Sequence, residues 1–422
     1  MWLDNVGLRR REFKPSQRDG SVRMTPMPTS LPTPGPDAAA RSALLATQIH
    51  AQIAAHGGWM SFAGFMEACL YTPGLGYYSG ASTKLGSGLK DDSDFVTAPE
   101  LSSLFGRALA RQVAEVCALT SPQVLEFGAG SGKLACDLLA ELERFDALPE
   151  RYCILELSGD LRARQQALLE QRVPHLAQRV QWLDQLPERL AGVVLANEVL
   201  DAMPVHLMVW PQADTAAGWL ERGVATGPEQ QFVFVDRPAE PRLRKDMATR
   251  IDDALEIAPD YLTELNLAAP AFVTSLAERL DHGALLLIDY GFPVHEYFHV
   301  QRHRGTLMAH YRHRAHDNPL ILPGLQDLTA HVDFSAIAQA GVQAGLELLG
   351  YTSQAHFLIN CGITELIEGD PSQPAIWLPQ TNALQRLISE AEMGELFKVI
   401  ALGRGLPDGL LGFRRGDRSH TL

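Results

Sequence analysis

Three glycines stand at alternate positions in "VLEFGAGSGKLA", residues 124–135. At Gly128, Gly130 and Gly132 the backbone carries no side chain, so a ligand can approach it closely. Glu126 precedes them. Carboxylates then recur where apolar runs end. Glu156 closes "RYCILELS", Asp184 closes "RVQWLDQLP", and Asn197 and Glu198 follow "AGVVLA". Asp289 and Tyr290 end "ALLLIDY", and Asp201 lies three positions after Glu198. A carboxylate can accept two ribose hydroxyls, an exocyclic amine, or the forked N–H groups of a guanidinium. Each acid alone is more often a solvated strand end. Their recurrence after one glycine loop points to a ligand site along one edge of a sheet.

The elements that would position these residues are alternating strands and helices. "QVLEF" is a short buried strand, and "KLACDLLAELERF" spaces its leucines as a helix does. The nearly unbroken apolar runs imply strands buried on both faces, as in a parallel sheet. The fold class is therefore α/β, doubly wound and mostly parallel, with a ligand crevice at the carboxyl ends of the strands. The expected organisation is a disordered leader over 1–37, a helical and loop cap over 38–120, and a first half of the core over 121–204. An insertion with connecting helices covers 205–282, and the second half of the core covers 283–422. "GWLERGVATG" and "QQFVFVDRP" read as a hairpin, which makes the insertion β-rich. Thr97 and Glu100, with Asp94, stand where a loop from the cap could close the pocket.

Three ligands compete for the glycine loop. A triphosphate loop needs glycine where Phe127 stands and Ser or Thr where Leu134 stands. A dinucleotide loop wants its third glycine where Lys133 stands. S-adenosylmethionine has no phosphates and carries a sulfonium and an ammonium, so the acidic Glu126 suits it. Glu156 would then take the ribose and Asp184 the adenine amine.

Composition narrows the classes further. The net charge is −14 over 422 residues, which argues against nonspecific nucleic-acid or membrane binding. No apolar run reaches membrane-span length. The five cysteines form no Cys-x-x-Cys pair and read as reduced residues of a cytoplasmic protein. The basic, Pro-rich leader lacks the apolar core of a secretory signal, and Met24 or Met27 could start translation. Seven of the fourteen histidines fall between His295 and His331. Interleaved arginines oppose a metal there, so no metal is expected. The stretch 293–332 reads instead as a lid or substrate wall.

Several stretches together resemble a known family: "GYYS", "DFVTAPELSSLFG", "LEFGAGSGKLA", "ANEVLDAMPVH", "LLLIDYGFP" and "DLTAHVDF". The chain resembles the class I methyltransferase family that includes the mitochondrial complex I assembly-factor arginine methyltransferase. Thirty arginines against six lysines suggest a bacterial branch. "EFGAG" departs from the "ELGPG" associated with mitochondrial members. The resemblance implies a seven-stranded Rossmann-like sheet with additions and S-adenosylmethionine in the glycine crevice. It also implies arginine methylation of a protein substrate, in the mitochondrial branch a respiratory-complex subunit.

On that reading Glu126, Gly128, Gly130, Gly132, Glu156, Asp184, Asn197, Thr97 and Glu100 form the cofactor side. Glu198 is expected to orient the nucleophile with Asp201 as its partner, both on one side of a starting helical turn. Asp201 could equally brace the turn before Pro204. Asp289 and Tyr290 are expected on the substrate side. Two alternatives stay open: a cofactor-binding assembly factor without catalysis, and a nicotinamide-dependent oxidoreductase.

Overall fold

The computed structural model describes residues 31–79, 97–211, 218–251 and 260–422. Asp94 and most of the leader lie outside them. The chain forms β1 (Gln123–Phe127), β2 (Arg151–Leu155), β3 (Val180–Leu183) and β4 (Leu190–Asn197). An excursion follows through β5 (Val205–Trp210), β6 (Leu220–Thr226), β7 (Phe232–Pro238) and β8 (Tyr261–Asn266). The chain returns as β9 (Leu280–Phe292). It then forms β10 (Met308–Tyr311), β11 (Arg314–His316) and β12 (Asp327–Thr329), and ends in β13 (Glu347–Ser353) and β14 (Phe397–Arg404).

The main sheet has the order β13-β14-β9-β4-β1-β2-β3, with Val332–Asp333 pairing as an eighth short strand on β9. The pairs β1/β2, β1/β4, β2/β3 and β4/β9 are parallel, and β14 is antiparallel to both its neighbours. The α/β class, the cap and the β-rich insertion expected from the sequence are all present. Alternation along the strands explains the unbroken apolar runs. Val193 and Leu195 join one core cluster, while Val194 and Ala196 join the other. Successive side chains point to opposite faces, so a strand covered on both sides must be apolar throughout.

The chain leaves β1 toward β2 and β3, then comes back to β4 on the other side of β1. That reversal opens a crevice at the carboxyl ends of β1 and β4. Helix Lys133–Arg144 starts directly after the glycine loop, and Gly132 at its N-cap has φ +85°.

Strands β5 to β8 form an antiparallel sheet, which Met60–Ser61 joins on β6. The cap helices Pro36–Ala55 and Phe62–Tyr71 cover it. Leu45, Ile49 and Phe65 from the cap share one core with Val205 and Leu207 of β5, Ala309 of β10 and Leu328 of β12. The His/Arg-rich stretch is built on a small sheet of order β11-β10-β12. One hydrophobic cluster therefore fixes the cap, the insertion and this small sheet together.

Candidate active site

A cavity of about 740 Å³ opens at the crevice, within the range that holds a small-molecule ligand. Its glycine end is lined by Glu126, Gly128, Gly130 and Glu156, with Thr97 and Glu100 from the neighbouring loop. Gly128 has φ +63° and Gly130 φ +54°, conformations that favour glycine. A Cβ on Gly128 would stand 2.7 Å from Val199 Cγ2. Both glycines line the cavity, and at Gly128 a side chain would press on Val199.

The acids around the loop are tied down. Glu126 Oε2 accepts from the Tyr152 hydroxyl at 2.7 Å. Burial raises its pKa to about 7, with the Tyr152 bond pulling the other way. Glu100 Oε1 accepts from Ser131 Oγ at 2.5 Å. Glu156 accepts from Ser158 N at 2.9 Å and from Gln165 Nε2 at 3.3 Å. The same Gln165 nitrogen donates to Gly130 O at 3.1 Å, and its Oε1 accepts from Trp182 Nε1 at 2.7 Å. Gln165 is fully buried, so it couples the glycine loop to Glu156. Lys133 is held by Asp137 at 2.6 Å and by Pro99 O, and it does not line the cavity.

The other end of the cavity is acidic and aromatic. Asn197 ends β4, Glu198 and Asp201 follow it, and Tyr290 lies near the carboxyl end of β9. The stretch 198–204 is a bend and turn, not the start of a helix. Glu198 reaches the cavity through a backbone turn with φ +52°, a conformation uncommon for residues with a Cβ. Its amide donates to Ile288 O at 2.9 Å, and its Oε1 accepts from Asn197 Nδ2 at 3.1 Å. Asp201 Oδ2 accepts from the Tyr290 hydroxyl at 2.6 Å. Asp201 Oδ1 and Asn197 Oδ1 have no hydrogen-bond partner among the described residues. Burial, then the charge of Asp201, raises the Glu198 pKa to about 8. Burial raises Asp201 to about 6, against the pull of the Tyr290 bond.

Three expected site residues stand elsewhere. Asp184 does not line the cavity: its side chain is 85 % exposed and pairs with Arg162 at 2.6 Å. Arg162 also donates to the carbonyls of Glu156 and Leu183, so this pair clasps the ends of β2 and β3. Gly132 is a helix cap whose Cβ would meet Gln165 at 3.2 Å. Asp289 is fully buried behind the wall, where its Oδ2 accepts from the amides of Leu200 and Asp201. It braces the turn that carries Glu198 and Asp201. Burial and the two neighbouring carboxylates push its pKa upward.

The structure adds Tyr71, Tyr78, His310, Asp327 and Thr329 to the lining. Asp327 and Thr329 are two apart on β12 and so face one side, a spacing readable in "DLTAHVDF". Their meeting with "GYYS" depends on a tertiary contact. Among the described residues, no three His, Cys, Asp or Glu side chains converge as metal ligands, and no helix is long and apolar enough to cross a membrane.

Residues 108–352, more than half of the chain, match the family described as "Putative S-adenosyl-L-methionine-dependent methyltransferase". The chain belongs to this methyltransferase family. It is similar to a Burkholderia thailandensis protein whose crystal structure holds S-adenosyl-homocysteine. The identity is 55 %, the TM-score is 0.89, and the match covers 93 % of this chain and 100 % of that one. It is also similar to the mitochondrial protein arginine methyltransferase NDUFAF7 of Danio rerio, at 30 % identity over 82 % of this chain and 83 % of the relative. The Mus musculus relative of the same name is 29 % identical, over 82 % and 81 %. The protein is an S-adenosylmethionine-dependent methyltransferase, which removes the nicotinamide alternative. The glycine loop, the acids beside it and the unpartnered Asn197 oxygen fit a ligand that carries hydroxyls, an amine and positive charge.

Proposed function

We propose that this methyltransferase modifies a guanidinium nitrogen of an arginine side chain in a protein substrate. The carrying observation is that one cavity joins the glycine loop to Glu198 and to buried Asp201. The printed name of the 29–30 % identical relatives supports the arginine reading. Gly128 and Gly130 admit the cofactor backbone-close, Glu156 takes the ribose hydroxyls, and Asn197, Thr97 and Glu100 line its remaining length. Bound S-adenosylmethionine supplies a methyl group on a positively charged sulfur, which departs as a neutral thioether.

The chain's own residues then align a nucleophile and remove its proton. Ionised Glu198 accepts N–H bonds from the planar guanidinium, localising its charge away from the reacting nitrogen. Asp201, fixed by Tyr290, supplies the second acceptor. The proton shed by the methylated nitrogen passes to this carboxylate pair. Family resemblance directs the substrate search to respiratory-complex subunits. We place the protein in the cytoplasm, a reducing compartment that suits its five free cysteines.

The test is radiolabelled methyl transfer into lysate of a strain lacking the protein, followed by identification of the labelled band and residue. Label on methylarginine is the expected result. Label confined to another residue type, or to a small molecule, overturns the assignment.

A further inference from the structure

The proposed mechanism uses the carboxylates that follow β4 and leaves a neighbouring wall without a role. That wall is β12. Asp327 and Thr329 line the cavity from it. His310, directly across from Asp327 in the β10/β12 ladder, lines it as well. Residues opposite each other in an antiparallel pair present neighbouring side chains on one face. Burial, and then neighbouring His316, lowers the His310 pKa, so the imidazole is neutral and does not repel a cation.

Asp327 is held in place from two directions. Its Oδ1 accepts from the Tyr78 hydroxyl at 2.9 Å. Tyr78 stacks on Tyr71 with ring centroids 5.7 Å apart, and the Tyr71 hydroxyl donates to Ala202 O at 2.9 Å. The chain just beyond β12 is tied to the same turn, because Ala330 N donates to Asp201 O at 3.0 Å. Asp201, only 5 % exposed, lines the cavity, and its Oδ1 has no hydrogen-bond partner among the described residues. Asp327 is close enough for its charge to disfavour ionisation of Glu198.

We infer that Asp327, positioned by Tyr78, is a substrate-binding carboxylate that grips the cation together with Glu198 and Asp201, from the strand tied to their turn. The inference rests on the arginine reading above and extends it. A planar guanidinium offers N–H groups along more than one edge and can be engaged by several carboxylates at once. A compact ammonium offers no such extended edges. Three carboxylates lining one cavity, Glu198, Asp201 and Asp327, therefore select arginine over lysine. Asp327 acts on binding, while Glu198 acts on transfer.

The experiment measures binding of blocked single amino acids to the S-adenosylhomocysteine complex by calorimetry. The probes are N-acetyl-arginine methylamide, the lysine equivalent, and the citrulline equivalent, which keeps the shape without the charge. The parent is expected to bind the arginine probe and to bind lysine and citrulline at least roughly tenfold more weakly. Asp327→Asn should weaken arginine binding by roughly tenfold or more, and Tyr78→Phe by less. Both variants should keep the parent's affinity for S-adenosylhomocysteine, which reports that the fold and the glycine end are intact. In methyl-transfer assays Asp327→Asn should raise KM and leave kcat within a few-fold of the parent. Parental arginine affinity in Asp327→Asn overturns this inference and leaves the arginine reading standing. Preference of the parent for lysine or citrulline overturns the arginine reading, and this inference with it.

Discussion

At the glycine end, most of the cavity wall comes from one compact stretch of chain, to which the neighbouring loop adds Thr97 and Glu100. Glu126, Gly128, Gly130 and Glu156 belong to two adjacent strand ends, and Gln165 links them. At the acidic end, the wall is gathered from distant pieces: Tyr71 and Tyr78, the turn at 198–201, Tyr290, His310 and Asp327. One end follows directly from a doubly wound sheet. The other exists only because the cap, the insertion and the small sheet share one core. On the proposed function the contrast separates holding the cofactor from choosing what is methylated, and variants at the two ends should fail in different ways.

The largest effect is expected at Gly130. Valine there would strain a backbone at φ +54° and intrude on the cavity. Calorimetry with S-adenosylhomocysteine should show no measurable binding by a folded Gly130→Val protein. Retained affinity would remove the crevice from the cofactor site. Glu198→Gln should lower transfer by roughly two orders of magnitude or more while cofactor affinity stays near the parent's. Loss of cofactor affinity in that variant would move Glu198 from the acidic end to the cofactor end and blur the comparison.

Glu156→Gln should weaken cofactor binding by about 1–3 kcal/mol, the range for a hydrogen bond to a charged group. The residual affinity comes from the glycine loop. A pH series gives a subtler separation. Burial and the charge of Asp201 raise the Glu198 pKa to about 8, so transfer should fall as pH drops below that and the carboxylate gains a proton. Its folded-state pKa is raised, so its contribution to stability is fully present below about 4.5 and is lost as pH rises through about 8. Glu198→Gln should flatten that decline in melting temperature. The smallest effect belongs to Asp184→Asn, with cofactor affinity within roughly threefold of the parent, as for an exposed ion pair. A larger loss would restore Asp184 to the adenine pocket.

The two ends also differ in how far the sequence exposes them. Gly128, Gly130, Glu126 and Glu156 were legible because local spacing placed them at strand ends. Glu198 and Asp201 were legible for the same reason, although a helical turn was expected where the chain makes a strained bend. Asp184 and Asp289 ended apolar runs just as convincingly. Sequence periodicity does not say whether the last side chain turns into a crevice, toward Arg162, or behind a wall. Tyr78 and Asp327 lie 249 positions apart, and no local pattern announces their hydrogen bond. The motif stretches contained both residues without saying that they meet.

Glu198 stands at a backbone angle that glycine would adopt more comfortably. Two selections applied to this gene should therefore part company at codon 198. A library ranked only by survival of heat should accumulate glycine or asparagine there, relaxing the bend. A library ranked by methylated product should return glutamate each time. Divergence between the two winners would mark the position where durability and activity ask for different residues.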